Sequence, residues 1–222
     1  MSRPLRILIT GFGPFPGAPH NPTPRLVARL VGLRRPALAD VSLSSHVFHV
    51  SYGAVDRDLP TLLARHKPDA LLSFGLAQST PFIRVETRAR NTITTLWPDA
   101  DHTRVGQAHI ALDAATSRRF GPHTAQLLRA GLQSGAWVKS SRDAGRYLCN
   151  YLCWRSIEAT ETNSGPRLAA FIHVPLVPRD GVGRLRTTQR HVGFEDLVDA
   201  GEAMLMTMVK LARQRATTFV PD

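Results

Sequence analysis

A mostly parallel α/β sheet, covered by helices on both faces, is the fold class this sequence predicts, and three observations predict it. Residues 5–10, 70–75 and 168–175 are short, continuously apolar runs, the pattern of strands buried on both faces. Stretches with apolar residues at helical spacing separate them, as parallel crossovers require. Each run stops at or near a glycine or proline, where such sheets open into ligand-binding loops.

The first run, Leu5-Arg6-Ile7-Leu8-Ile9-Thr10, reads as a central strand opening into Gly11-Phe12-Gly13-Pro14-Phe15-Pro16-Gly17. Its glycines are not spaced as G-x-G-x-x-G, and Pro14 and Pro16 obstruct the helix that a dinucleotide site needs. Phe12 and Phe15 serve either as core anchors for that loop or as apolar walls of a pocket at the strand's end. Asn21-Pro22-Thr23-Pro24 caps a helix reaching Leu33, with Leu26, Val27, Leu30 and Val31 on one stripe. Residues 41–52 read as a second strand whose alternation turns His46 and His49 to opposite faces, away from a shared metal. Residues 53–66 form a helix with Val55, Leu59, Leu62 and Leu63 inward.

After the strand at 70–75 and a turn through Gln78-Ser79-Thr80-Pro81, residues 82–91 are expected to be extended. Glu86 there lies among Arg84, Arg88 and Arg90, either as a surface ion-pair cluster or as a carboxylate held to orient something. Periodicity fails from Thr92 to Phe120, with a short strand expected near 108–112; long irregular segments of this kind are lids or interface pieces. A helix from Gly121-Pro122 to Ser134, a short strand at 136–139 and the strand at 168–175 follow. The loop through Gly183 is irregular, and residues 194–215 close the chain as an amphipathic helix built on Leu197, Val198, Leu205, Met208, Val209 and Leu211.

At 222 residues with no evident linker, the chain is expected to be one domain over 1–222. No run reaches the ~18 apolar residues of a membrane span, and residues 1–6 lead into a strand without a signal-peptide core. The net charge is +11, from 28 Lys and Arg against 17 Asp and Glu. These charges are dispersed, so they describe a solvated surface and not a nucleic-acid groove. Two cysteines four residues apart on one helix make a poor disulfide, which points to a reducing cytoplasm.

The chemistry concentrates in Ser140-Ser141-Arg142-Asp143-Ala144-Gly145-Arg146-Tyr147-Leu148-Cys149-Asn150. A turn ending at Gly145 delivers Cys149 to the start of an apolar run at helical spacing. Free backbone N–H groups and the helix dipole there favour a thiolate, with a pKa below the ordinary ~8.5. Taken alone, such a cysteine is most often a small buried hydrophobe. Cys153, one turn deeper on the same face, is assigned that structural place. A thiol site also needs a proton-carrying histidine and a polar group to orient it. His173, ending a buried strand before Pro175, and Glu86 could supply those roles for Cys149.

Together these motifs resemble the pyroglutamyl peptidase I family, the cytosolic pyrrolidone-carboxylate peptidases. The matching residues are Thr10-Gly11-Phe12-Gly13-Pro14-Phe15 with Asn21-Pro22, Gly75-Leu76-Ala77, Glu86 with Ala89 and Asn91, Ala144 through Asn150, and Phe171-Ile172-His173-Val174-Pro175 with Pro178. They span about residues 5–215 in the family's order. The resemblance implies an α/β/α sandwich that removes an amino-terminal pyroglutamyl residue from small peptides. Cys149 would attack the lactam-bearing acyl carbon, His173 would act as base and then acid, and Glu86 would orient His173. Phe12, Phe15 and Tyr147 match the clamp around the pyrrolidone ring, with Asn21 and Leu76 in the motifs beside it. The family needs no metal or cofactor and commonly forms homotetramers, so a homo-oligomer, tetramer or dimer, is expected. Two departures bear on substrate identity: Gln78-Ser79-Thr80 stands where the family reads Gly-Gly-Arg, and no Ala-Arg-Ile-Pro-Asp-Asn segment is evident from 94 to 101. The alternatives are a thiol hydrolase of another small amide or N-acyl group, and a non-catalytic binding protein on the same scaffold.

Overall fold

The computed structural model describes residues 3–15, 17–177 and 191–217; Pro16, Pro178 and Gly183 lie outside them. The chain runs β1 (Leu5–Phe12), α1 (Thr23–Val31), β2 (Val41–Phe48), α2 (Tyr52–His66), β3 (Ala70–Leu76), β4 (Ile83–Glu86), β5 (Arg88–Arg90), β6 (Ser117–Arg119), α3 (His123–Gln133), β7 (Val138–Ser141), α4 (Leu148–Thr160), β8 (Leu168–Val174) and α5 (Phe194–Thr217). Six strands form the main sheet in the order β2-β1-β3-β8-β4-β7, while β5 and β6 pair separately.

The four strands from β2 to β8 are parallel to one another; β4 meets β8 antiparallel, and β7 pairs parallel to β4. Strand periodicity does not reveal direction, because side chains alternate the same way whichever way the chain runs. That alternation divides the core into two layers. Ile7, Ile9, Leu72, Phe74, Ala170, Ile172 and Val85 face α1, α3 and α5, whose Leu26, Leu127 and Leu205 pack on them. Leu8, Phe12, Leu71, Ala169 and Phe171 face α2 and α4, represented by Val55, Leu59, Leu152 and Trp154. The result is the expected three-layer α/β/α arrangement.

Several boundaries differ from the sequence pattern for local reasons. The second strand ends at Phe48 because Ser51 already caps α2, its Oγ accepting from Ala54 N at 3.2 Å. The extended stretch 82–91 breaks at Thr87 into β4 and β5, with Thr87 N and its hydroxyl both donating to Ser141 O. No strand forms at 108–112. There the side chain of Asn91 accepts from Ile110 N and Ala111 N at 2.9 and 3.0 Å, so these amides have no strand partner to seek. The short strand lies instead at Ser117–Arg119, paired with Arg88–Arg90. The strand expected at 136–139 starts two residues later, at Val138. Asn21 does not cap α1 as its N-cap residue; Pro22 holds that position, and Asn21 Oδ1 accepts from Thr23 N at 3.0 Å. Among the described residues no helix is long and apolar enough to cross a membrane.

Candidate active site

Cys149 stands where the local sequence places it, as the second residue of α4, after a turn whose Gly145 takes φ +86°. That left-handed backbone is cheap only for glycine and a few polar residues. Tyr147 is the extended N-cap residue, and the first helical bond is Tyr151 N to Tyr147 O at 3.0 Å. The amides of Leu148, Cys149 and Asn150 therefore have no partner within the helix.

The sulfur lies against the sheet at Gly75 in β3. A Cβ at that residue would sit 2.8 Å from Cys149 Sγ and 2.6 Å from the Phe171 ring. Gly75 is the register partner of His173 in β8, which brings sulfur and imidazole to one spot on the α4 side of the sheet. The Phe171 ring packs edge-on to the imidazole at a centroid distance of 5.0 Å. His173 and Glu86 are 3% and 0% exposed, and His173 Nδ1 lies 2.7 Å from Glu86 Oε1. With the proton on Nδ1 donated to that carboxylate, Nε2 keeps a lone pair for another proton. Glu86 is therefore no surface ion pair. The register of β4 against β8 puts it, with Arg84, on the face that His173 shares.

Arg84 is a member of this cluster that composition did not single out. Its Nη2 is 3.1 Å from His173 Nδ1, and its Nε is 3.2 Å from Glu86 Oε1. The only sequence signal was its place two residues before Glu86, one strand period away. Asn150, fully buried, is a second addition: Nδ2 donates to Arg90 O and Thr92 O at 2.8 and 2.9 Å, and Oδ1 accepts from Arg90 N at 2.9 Å. These bonds lash the start of α4 to the segment that carries Glu86.

The electrostatics correct one expectation. Burial, aided by the Glu86 carboxylate and opposed by Arg84, pushes the Cys149 thiol up to about 12. A helix N-terminus contributes ~0.3–1 kcal/mol, less than a tenfold change in ionisation, so the desolvation of a packed sulfur outweighs it. Burial also lowers the His173 pKa; Glu86 opposes that effect and Arg84 adds to it. Both shifts favour a thiol and a neutral imidazole over a preformed ion pair. Cys153 is fully buried, and its thiol is raised further for the same reason, as a structural residue should be.

Around this cluster the remaining sequence candidates divide. Phe15 and Tyr147 are half-buried with ring centroids 6.4 Å apart. Phe12 is almost wholly in the core against Phe48, at 5.9 Å. The amide of Asn21 holds the loop, Nδ2 donating to Phe12 O and Gly13 O at 2.9 and 3.1 Å. Leu76 ends β3 half-buried on the rim. The departing Gln78 ties two rim loops together, Nε2 donating to Gly17 O at 2.6 Å. Tyr147 donates its hydroxyl to Pro98 O at 2.9 Å, fastening the 92–120 excursion beside the cysteine. Asp99 orders that excursion: buried, it accepts from Tyr52 N, Asp101 N and Thr103 N. His46 and His49 face Asp58 and Asp101 respectively. Among the described residues no group of three or more His, Cys, Asp or Glu side chains is placed to hold a metal ion.

A thiol, an imidazole and a carboxylate gathered at the carboxyl rim of a doubly covered α/β sheet define a class, that of the thiol-dependent hydrolases. Comparison with known proteins narrows it. The family model described as pyroglutamyl peptidase matches residues 5–210. The pyrrolidone-carboxylate peptidase of Pyrococcus furiosus is 29% identical over 181 residues, covering 82% of this chain and 86% of that protein. That of Vibrio vulnificus is 29% identical over 206 residues, covering 92% and 93%. The solved pyrrolidone carboxyl peptidase of Thermococcus litoralis superposes with a TM-score of 0.82 at 26% identity, covering 98% of this chain and all of that one. The chain belongs to the pyroglutamyl peptidase family.

Proposed function

We propose that this protein is a cysteine exopeptidase that releases an amino-terminal pyroglutamyl residue from peptides, with Cys149, His173 and Glu86 as its catalytic groups. The observation that carries the proposal is the buried 2.7 Å contact of Glu86 with His173, beside the sulfur seated over Gly75, in a chain matched by the family model over nearly its whole length. In this reading the Cys149 thiol loses its proton to His173 Nε2 as Sγ bonds to the acyl carbon attached to the lactam ring. The carbonyl oxygen, now negative, faces the free amides at the start of α4. His173 returns the proton to the departing amine as the C–N bond breaks, leaving a thioester. Water then attacks the thioester, giving one proton to His173, and the thiolate leaves and recovers that proton as pyroglutamate departs.

Phe15 and Tyr147 supply an apolar slot for the flat, uncharged pyrrolidone ring, with Phe12 in the core beneath and Leu76 at the rim. Asn21 serves by fixing the loop that carries both phenylalanines. No group of the cluster requires a metal or an organic cofactor for these steps. A cytoplasmic homo-oligomer also fits the family resemblance, and exposed Leu96, Trp97, Leu112 and Leu176 offer apolar area for contact between copies.

Assay with a fluorogenic pyroglutamyl amide tests the function directly. Turnover is expected from the parent protein, and Cys149→Ser and Cys149→Ala should each lose at least ~1000-fold, as removal of a nucleophile does. Turnover in the serine and alanine variants equal to the parent's would remove Cys149 from the mechanism. A parent protein that cleaves another small amide but no pyroglutamyl amide would move the reading to that substrate, which the Gln78 tie across the rim would then explain.

A further inference from the structure

We propose that Arg84 is a positioning residue of this site: its guanidinium, set against both His173 Nδ1 and the Glu86 carboxylate, keeps the imidazole unprotonated and ready to take the proton of Cys149. The proposal rests on the reading of Cys149 and His173 as a reacting pair, but its physical core is independent of the substrate.

The geometry is specific. Nδ1 has one in-plane position for a proton. A proton there is donated to Glu86 Oε1 at 2.7 Å. Arg84 Nη2, 3.1 Å from the same nitrogen, then has no lone pair to donate to. It stands beside the ring as a positive charge, opposing a second proton on Nε2. Burial already favours the neutral ring while the Glu86 carboxylate draws a second proton toward it; the Arg84 charge adds to burial against that pull, and a protonated His173 cannot act as base. Arg84 also compensates Glu86, whose Oε2 is buried with no hydrogen-bond partner and whose Oε1 lies 3.2 Å from Arg84 Nε. The other groups facing His173 cannot take this role. Glu86 and Asp143 are acidic, and Asp143 is already ion-paired with Arg90 in the turn before α4. Cys149, on α4, is a thiol, and the neighbouring positions Gly75 on β3 and Phe171 on β8 are uncharged. Arg84 is held in place by its strand: it pairs directly with His173 across the β4–β8 ladder, and its side chain is 20% exposed.

The sign of the effect follows. Arg84 lowers the His173 pKa, so its removal raises it, and the acid limb of kcat/KM moves to higher pH. The decisive experiment has two readouts on Arg84→Met and Arg84→Lys. The first is the NMR titration of the His173 ring nitrogens in a Cys149→Ser background, which needs no substrate. The second is the pH profile of kcat/KM with Cys149 intact. For Arg84→Met the titration midpoint should rise by about one pH unit, the lower end of what a neighbouring charge does, and relative activity on the acid limb, below both midpoints, should fall about tenfold. Arg84→Lys, which keeps the charge, should hold the midpoint near that of the parent. An unmoved midpoint in a folded Arg84→Met protein, or equal shifts in Met and Lys, would overturn the proposal. A raised midpoint in a protein that never hydrolyses a pyroglutamyl amide would sustain the role of Arg84 toward His173 and reject only the assigned substrate.

Discussion

At the scale of single residues, the site depends as much on an absent side chain as on those present. Gly75 lies in β3 with neither a positive φ nor a turn to explain it; it is required because the Cys149 sulfur and the Phe171 ring occupy the space a Cβ would take, at 2.8 and 2.6 Å. Substitution Gly75→Ala should therefore push the sulfur off the sheet. A displacement near 1 Å is enough to cost on the order of 100-fold in kcat/KM, while overpacking at one methyl costs roughly 1–3 kcal/mol of stability. Steady-state kinetics and thermal unfolding on the same sample would check both, and an unaltered kcat/KM would contradict the seating of the sulfur over β3. The sequence singled out Cys149, His173 and Glu86 as candidates because each sits in a legible context: a helix start, a strand end, a carboxylate among arginines. It did not disclose the ionisation of Cys149, since desolvation is a property of the packed interior and not of the helix start.

At the scale of elements, Glu86 and Arg84 reach His173 because β4 pairs with β8. The β4–β8 register sets Arg84 directly opposite His173, and Glu86, two residues on, shares that face. The short segment from β4 to β5 is in turn bound to α4 by Asn150, whose three hydrogen bonds join Arg90 and Thr92 to the helix that bears Cys149. Asn150→Ala leaves one part-buried amide and two part-buried carbonyls without that partner. Each unsatisfied group costs ~1–3 kcal/mol, so a loss of at least 2 kcal/mol in urea unfolding is expected, accompanied by reduced turnover. Stability within ~0.5 kcal/mol of the parent would show that the lashing is dispensable. The excursion from 92 to 120 illustrates the limit of pattern reading: its irregularity was visible, but its order comes from Asn91, Asp99 and Tyr147, side chains that take up backbone groups a strand would otherwise pair.

Across the whole molecule, stability and chemistry lie at opposite ends of the sheet. At the amino ends, buried Asp69 accepts from Arg6 N in β1 and from the guanidinium groups of Arg3 and Arg167, while its backbone joins Arg6 O and Arg167 N. This one carboxylate fastens β1, β3 and the approach to β8. Asp69→Ala should destabilise the fold by roughly 1–3 kcal/mol, read as a lower urea midpoint, with kcat/KM of the folded protein unchanged within about twofold. A parallel collapse of kcat/KM would mean the two ends are coupled. The sequence by itself determined the layer order, most elements and the candidates for the site, because continuous apolar strands, helical spacing and turn residues are local signals that survive without a fold. Only the tertiary structure decided the direction of β4, the arrival of Arg84 beside His173 and the burial that raises the Cys149 thiol. Those depend on which strand lies next to which and on how completely water is excluded between them, and neither is written in any contiguous stretch of chain.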